Sequence, residues 1–105
     1  LYYVIDSVGP GENPTIDDQV TVNYRGYTLD GEQFDSSFDR GQPSTFPLRG
    51  VIEGWQIGIP FFKEGGGGKL IIPSELGYGN SPPPGSVIGR NEVLVFDIEL
   101  IEIVQ

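Results

Sequence analysis

Apolar and polar residues alternate over positions 19–29 of this chain. Val20, Val22 and Tyr24 fall on one side; Thr21, Asn23 and Arg25 fall on the other. A period of two marks a strand with one buried face. The pattern returns over 92–104, where Val93, Val95 and Asp97 oppose Leu94, Phe96, Ile98 and Leu100. That stretch is the longest strand the pattern predicts. Shorter strands are predicted over 1–8, 32–36, 45–48 and 69–72, each bounded by turn-forming residues. Asp30-Gly31 marks a hairpin between two of them. Positions 37–44, 74–79 and 80–91 read as loop and turn.

Between 51 and 62 the period changes. Ile52, Trp55, Ile59 and Phe62 recur at spacings of three, four and three, which is a one-sided stripe on a helix. Pro60 limits that helix, because it has no N–H to donate and disfavours helical backbone at Ile59. About two turns are expected. The four-glycine run Gly65–Gly68 then reads as a flexible hairpin turn. Several strands with one short helix predict an α+β fold: an antiparallel β-sheet wrapped around one short α-helix.

Composition narrows the function. The 105 residues suit one domain, 1–105, with one real core. The chain opens at Leu1 and enters a strand directly, so it is expected to be a domain excised from a longer protein. The net charge of −9 speaks against a nucleic-acid partner and against electrostatic membrane contact. There is no Cys, His or Met. Disulfides, thiolate nucleophiles, Cys/His zinc sites and His general bases are all excluded.

Three motifs fail on inspection. Gly65-Gly66-Gly67-Gly68-Lys69 lacks the leading Gly and trailing Ser or Thr of a phosphate loop, since those positions hold Lys63 and Leu70. Asp30, Glu32, Asp35 and Asp39 lack calcium-loop spacing and read as solvated loop acids. Asp35 and Asp39 as a hydrolytic carboxylate pair require both acids to face one cleft. No metal or cofactor is expected.

One ordered series stands out. It runs Val22-Asn23-Tyr24-Arg25-Gly26, Asp30-Gly31, Phe34-Asp35-Ser36-Ser37, Val51-Ile52-Glu53-Gly54-Trp55 and Lys63-Glu64-Gly65-Gly66. It continues through Leu70-Ile71-Ile72-Pro73, Leu76-Gly77-Tyr78-Gly79 and Leu94-Val95-Phe96-Asp97-Ile98-Glu99-Leu100. In order and near-matching spacing, this resembles the FKBP-type peptidyl-prolyl cis-trans isomerases from about Val8 to Ile103. That family has the same fold as the pattern predicts.

The resemblance implies an isomerase that speeds rotation about X-Pro bonds in polypeptides and assists folding, with no cofactor. It places the catalytic groups at Asp35, at the Tyr78 hydroxyl and at the Ile52 N–H. It places a substrate pocket at Tyr24, Phe34, Phe46, Val51, Trp55 and Phe96, with Trp55 as floor and Val87 or Ile88 as loop aliphatics over the site. The implied partners are proline-containing polypeptides and the macrolides tacrolimus and rapamycin. The loop departs from the family: Ile88-Gly89-Arg90-Asn91 stands where many members carry Ile-Pro-Pro-Asn, and Ser81-Pro82-Pro83-Pro84-Gly85 precedes it. The residues leave the compartment open. By resemblance alone, the setting is the C-terminal part of a bacterial periplasmic or lipoprotein-anchored isomerase.

Taken singly, aromatics on strands are usually core, Trp55 on an apolar helix stripe is core, and Asp35 is a turn residue or cap. Only the joint pattern argues for a site. Two other readings compete with an active isomerase. A proline-binding or chaperone module would need the aromatics but not Asp35. A small hydrolase would need Asp35 and Asp39 together.

Overall fold

The computed structural model describes residues 1–104. Six strands form one antiparallel sheet: β1 (Tyr2–Ser7), β2 (Gln19–Thr28), β3 (Gln33–Ser36), β4 (Ser44–Pro47), β5 (Gly67–Ile72) and β6 (Leu94–Val104). The order is β1-β5-β6-β2-β3, with β4 also pairing β2. Two helices are present, α1 (Ser37–Arg40) and α2 (Glu53–Gly58).

The β2–β6 pair forms the middle of the sheet, in register from Gln19↔Val104 to Thr28↔Leu94. Its inward residues Val20, Val22, Tyr24, Phe96, Ile98 and Leu100 are buried, as the alternation requires. Near the end of β6 the register slips, from Thr21↔Glu102 to Val22↔Leu100. Ile101 continues the outward set of Asp97 and Glu99; the bulge then leaves Glu102 outward as well and brings Ile103 back to the core, so the period of two breaks there.

Helix α2 crosses the inner face. Gly54 and Gly58 let its backbone lie directly on β5: a Cβ at Gly54 would meet Ile72 Cγ2 at 2.5 Å, and one at Gly58 would meet Leu70 Cδ1 at 2.7 Å. Trp55, Ile59 and Phe62 of the stripe are buried, and Ile52 is half-buried. The stripe continues past the α-helix because Ile59–Phe61 forms a 3₁₀ turn. Pro60 sits near its start and has no N–H to follow the Ile59 N–H to Trp55 O bond, so the α-helical ladder stops there.

Two expectations fail. The segment 37–44 is not all loop: Ser37–Arg40 makes one helical turn, capped by the Ser36 side chain on the Asp39 N–H and ended by Gly41 at φ 78°. The four-glycine run is not a flexible hairpin. Gly67 and Gly68 belong to β5, and Gly66, Gly67 and Gly68 are buried. A Cβ at Gly67 would meet the Ile98 oxygen at 2.1 Å, and one at Gly68 the Val4 oxygen at 1.9 Å. Here glycine serves close backbone approach; only Gly65, at φ 89°, serves a turn.

Gly68→Ala is therefore expected to destabilise the fold by about 3 kcal/mol or more, since the contact is with backbone that cannot swing aside. Urea unfolding of this variant beside Gly89→Ala, whose added Cβ would meet only the flexible end of the Glu92 side chain, at 3.3 Å, checks this. An equal loss in the two would mean that packing is not the cause.

Candidate active site

The outer edge of β2 is shared. Over Gln19–Val22 it pairs with β4, and over Arg25–Tyr27 with β3. Asn23 and Tyr24 fall in the gap. The wholly buried Ser37 Oγ fills it, accepting the Tyr24 N–H at 2.8 Å and donating to Asn23 Oδ1 at 2.9 Å. The seam between β3 and β4 opens here, and α1 carries Arg40 into it.

A concavity of about 580 Å³ lies at that seam. Its lining includes Tyr24, Phe34, Asp35, Phe46, Val51, Ile52, Trp55, Tyr78, Ile88 and Phe96. Trp55 is the hub. Its ring meets Tyr24 at 5.0 Å, Phe96 at 5.2 Å and Phe46 at 5.6 Å, all edge to face. Phe34 adds an edge contact to Phe96 at 5.5 Å. Such quadrupole-matched contacts fix ring orientation as well as burying area. Trp55 Nε1 is the one buried side-chain polar atom without a partner among the described residues. A donor so placed is left available to an incoming acceptor.

Asp35 is the charged group of the site. Its Oδ2 accepts the Tyr24 hydroxyl, and its Oδ1 takes Arg40 Nη1 at 2.5 Å. Arg40 Nη2 also reaches the Tyr24 hydroxyl at 3.0 Å and Ser44 Oγ at 3.1 Å. Partial burial pushes the Asp35 carboxyl up, but the Tyr24 hydroxyl and the Arg40 guanidinium outweigh it and hold the group below its ordinary value. Burial, joined by the Asp35 charge, raises the Tyr24 and Tyr78 hydroxyls, so both stay protonated donors. Asp39 turns elsewhere, to the Gln33 amide at 2.6 Å. The carboxylate pair imagined for hydrolysis does not form one cleft.

Of the residues singled out in the sequence, Val87 alone stands outside the lining; its side chain is exposed, while its neighbour Ile88 is buried. The Ile52 N–H immediately precedes α2, where N–H groups have no intrahelical acceptor. The Tyr78 hydroxyl makes no hydrogen bond among the described residues. Sequence reasoning missed Arg40, Pro83, Ser86 and Gly50. Arg40 lies five positions from Asp35 in a segment read as loop, so only the unseen turn of α1 brings the two together.

A family profile described as FKBP-type peptidyl-prolyl cis-trans isomerase matches residues 11–101. The chain belongs to this family. It is 47% identical over 103 residues to the peptidyl-prolyl cis-trans isomerase Mip of Coxiella burnetii, covering 98% of this chain and 44% of that protein. The crystal structure of FkpA from Escherichia coli superposes with a TM-score of 0.91 at 48% identity, over 96% of this chain and 46% of that one. A peptidyl-prolyl cis-trans isomerase from Pseudomonas syringae pv. tomato gives 0.89 at 35% identity, over 98% of this chain and 74% of that one. The chain thus spans less than half the length of Mip and FkpA.

Ser37→Ala is expected to cost about 1–3 kcal/mol, because it strands the buried Tyr24 N–H and the Asn23 carbonyl. Urea denaturation measures this. A loss within experimental error would show that the seam of β2 is held by other means.

Proposed function

We propose that this chain catalyses cis-trans rotation about X-Pro peptide bonds in polypeptides and so assists their folding. The observation that carries the reading is the aromatic cavity around Trp55, with an unused backbone N–H and a free phenol at its rim.

The chemistry follows from the amide. Resonance imposes a barrier of about 18–20 kcal/mol on rotation. At X-Pro bonds the two planar forms are nearly balanced, yet interconvert in tens of seconds or more. No bond breaks, so neither nucleophile nor cofactor is required. Twisting the amide removes its charge separation, and a dry apolar cavity favours the twisted form over both planar ones. That is differential binding, the kind that accelerates the step. Tyr24, Phe34, Phe46, Trp55 and Phe96 supply the cavity, in which the proline ring sits on Trp55. The Ile52 N–H and Tyr78 hydroxyl hold flanking carbonyls while the bond turns. Asp35 spends both oxygens on Tyr24 and Arg40. Its role is therefore to position the wall and set the local field. Family resemblance adds tacrolimus and rapamycin as ligands of the same cavity.

The direct test is a proline-limited refolding assay with and without rapamycin. Acceleration that the drug removes supports the reading. No acceleration by folded protein overturns it in favour of a proline-binding module. Trp55→Ala and Phe96→Ala are expected to lower turnover and to cost about 3–5 kcal/mol of stability, since both residues are also core. Tyr78→Phe should keep the fold and weaken rapamycin binding about tenfold, through one lost hydrogen bond to a buried acceptor.

The pH dependence has a definite sign. The depressed Asp35 pKa means that its contribution to stability is complete above the ordinary carboxylate range and is lost as pH falls through its lower folded value. The two phenols lose their protons only above the ordinary tyrosine value. Turnover is thus expected to stay level between about pH 5 and 9. A midpoint near neutrality in the pH–rate profile would contradict this assignment of groups.

A further inference from the structure

The sheet face turned away from α2 carries a second concavity. Asp97, Glu99 and Ile101 project to this face, alternating with the core residues Phe96, Ile98 and Leu100. With β1, the glycine run and α1 they line a groove of about 550 Å³. Its floor is Gly66–Gly68. The close backbone packing of these glycines on β1 and β6 forbids any side chain there, so the depression is built in. Strand β5 is paired on both edges, so the floor offers no free backbone ladder.

Two large apolar side chains stand over this floor without serving the core. Phe38 is 49% exposed and Ile101 is 43% exposed. Phe38 is held up by α1, which is capped at both ends despite its single turn. Ile101 shares the outward face with Asp97 and Glu99 by the alternation of β6. The lining also holds the carboxylates of Asp6, Asp97 and Glu99. Lys69 neutralises Asp97 at 2.7 Å. Glu99 receives only a long 3.4 Å contact from Asn23, and Asp6 has no cationic partner among the described residues. The groove therefore combines apolar walls with two uncompensated negative charges.

We infer that this groove docks an extended polypeptide segment in which apolar residues alternate with Lys or Arg, separately from the proline cavity. Charge complementarity selects the occupant. Apolar side chains cover Phe38 and Ile101, and the cationic heads meet Glu99 and Asp6. A small cation would remain hydrated in so open a trough, whereas a chain buries both features together. Strand β6 serves both faces, Phe96 inward and Asp97 outward. A client held at the groove is thereby kept beside the cavity, which raises the local concentration of its proline segments. The groove's own binding does not depend on the proline reading.

The test uses a fluorescein-labelled, proline-free peptide of alternating Leu and Lys, and its counterpart with Glu for Lys, titrated by fluorescence anisotropy with the whole chain. Saturable binding of the Lys peptide, about tenfold or more tighter than the Glu peptide, is expected. Glu99→Gln and Ile101→Ser, both at exposed positions, should each weaken it about fivefold and leave turnover of a short proline peptide unchanged. Circular dichroism verifies that each variant is folded. Absence of saturable binding, or equal binding of the Glu peptide, overturns the inference. So does displacement by a proline peptide, which assigns the binding to the aromatic cavity. Self-association abolished by Ile101→Ser in sedimentation also overturns it, giving the face to a second copy of the chain.

Discussion

The antiparallel pairing of β2 with β6 is the constraint on which the rest depends. It joins segments from distant parts of the chain and makes them the centre of the sheet. Its inner face supplies Tyr24 and Phe96, two of the three rings that meet Trp55. The edge of β2 away from β6 supplies the gap at Asn23 and Tyr24 that Ser37 fills. The outer face of the pair supplies Asp97, Glu99 and Ile101. Moving this pair by one residue would exchange inner and outer sets and remove both concavities at once.

The cavity is also where packing and chemistry compete for the same atoms. Trp55 and Phe96 are nearly wholly buried and yet line the opening. Rings fixed by edge-to-face contacts need little reorganisation when a ligand arrives, which favours preorganised binding. The ionic part of the site is almost self-contained. Asp35 is answered by Arg40 and Tyr24, so the strong acidity of the chain does not leave a bare charge in the cavity. Trp55 Nε1 is the exception among the buried side-chain polar atoms of the described residues.

Much of this was legible in the residues. The alternation at Val20, Val22 and Tyr24, and again at Phe96, Ile98 and Leu100, reports burial of one strand face. The stripe from Ile52 to Phe62 reports the helix and its packing. Two kinds of information were not local. Gly65–Gly68 is as consistent with a loose turn as with a tight strand, because glycine permits both; only the backbones of β1 and β6 decide. Arg40 carries no periodic signal. Its partnership with Asp35 depends on one turn of helix too short for any pattern to reveal. Likewise Val87 and Ile88 are equivalent as aliphatics in sequence, and the path of the loop separates them. The break of alternation after Ile101, where Glu102 is also exposed and Ile103 is buried, is a bulge, which pairing creates and composition does not announce.

The position of β6 in the chain has a consequence for synthesis on the ribosome. The central strand is the last of the six to be made. Before it emerges, β2 can gather β3 and β4, and β1 can pair with β5, but these two groups share no ladder. Any pairing made earlier leaves an open edge on β2 and on β5, because β6 is the strand that joins them. Such pairing of distant segments closes slowly and leaves strand edges exposed in the interval. A protein whose proposed work is to help other chains through slow folding steps thus faces its own delay, set by where its middle strand is encoded.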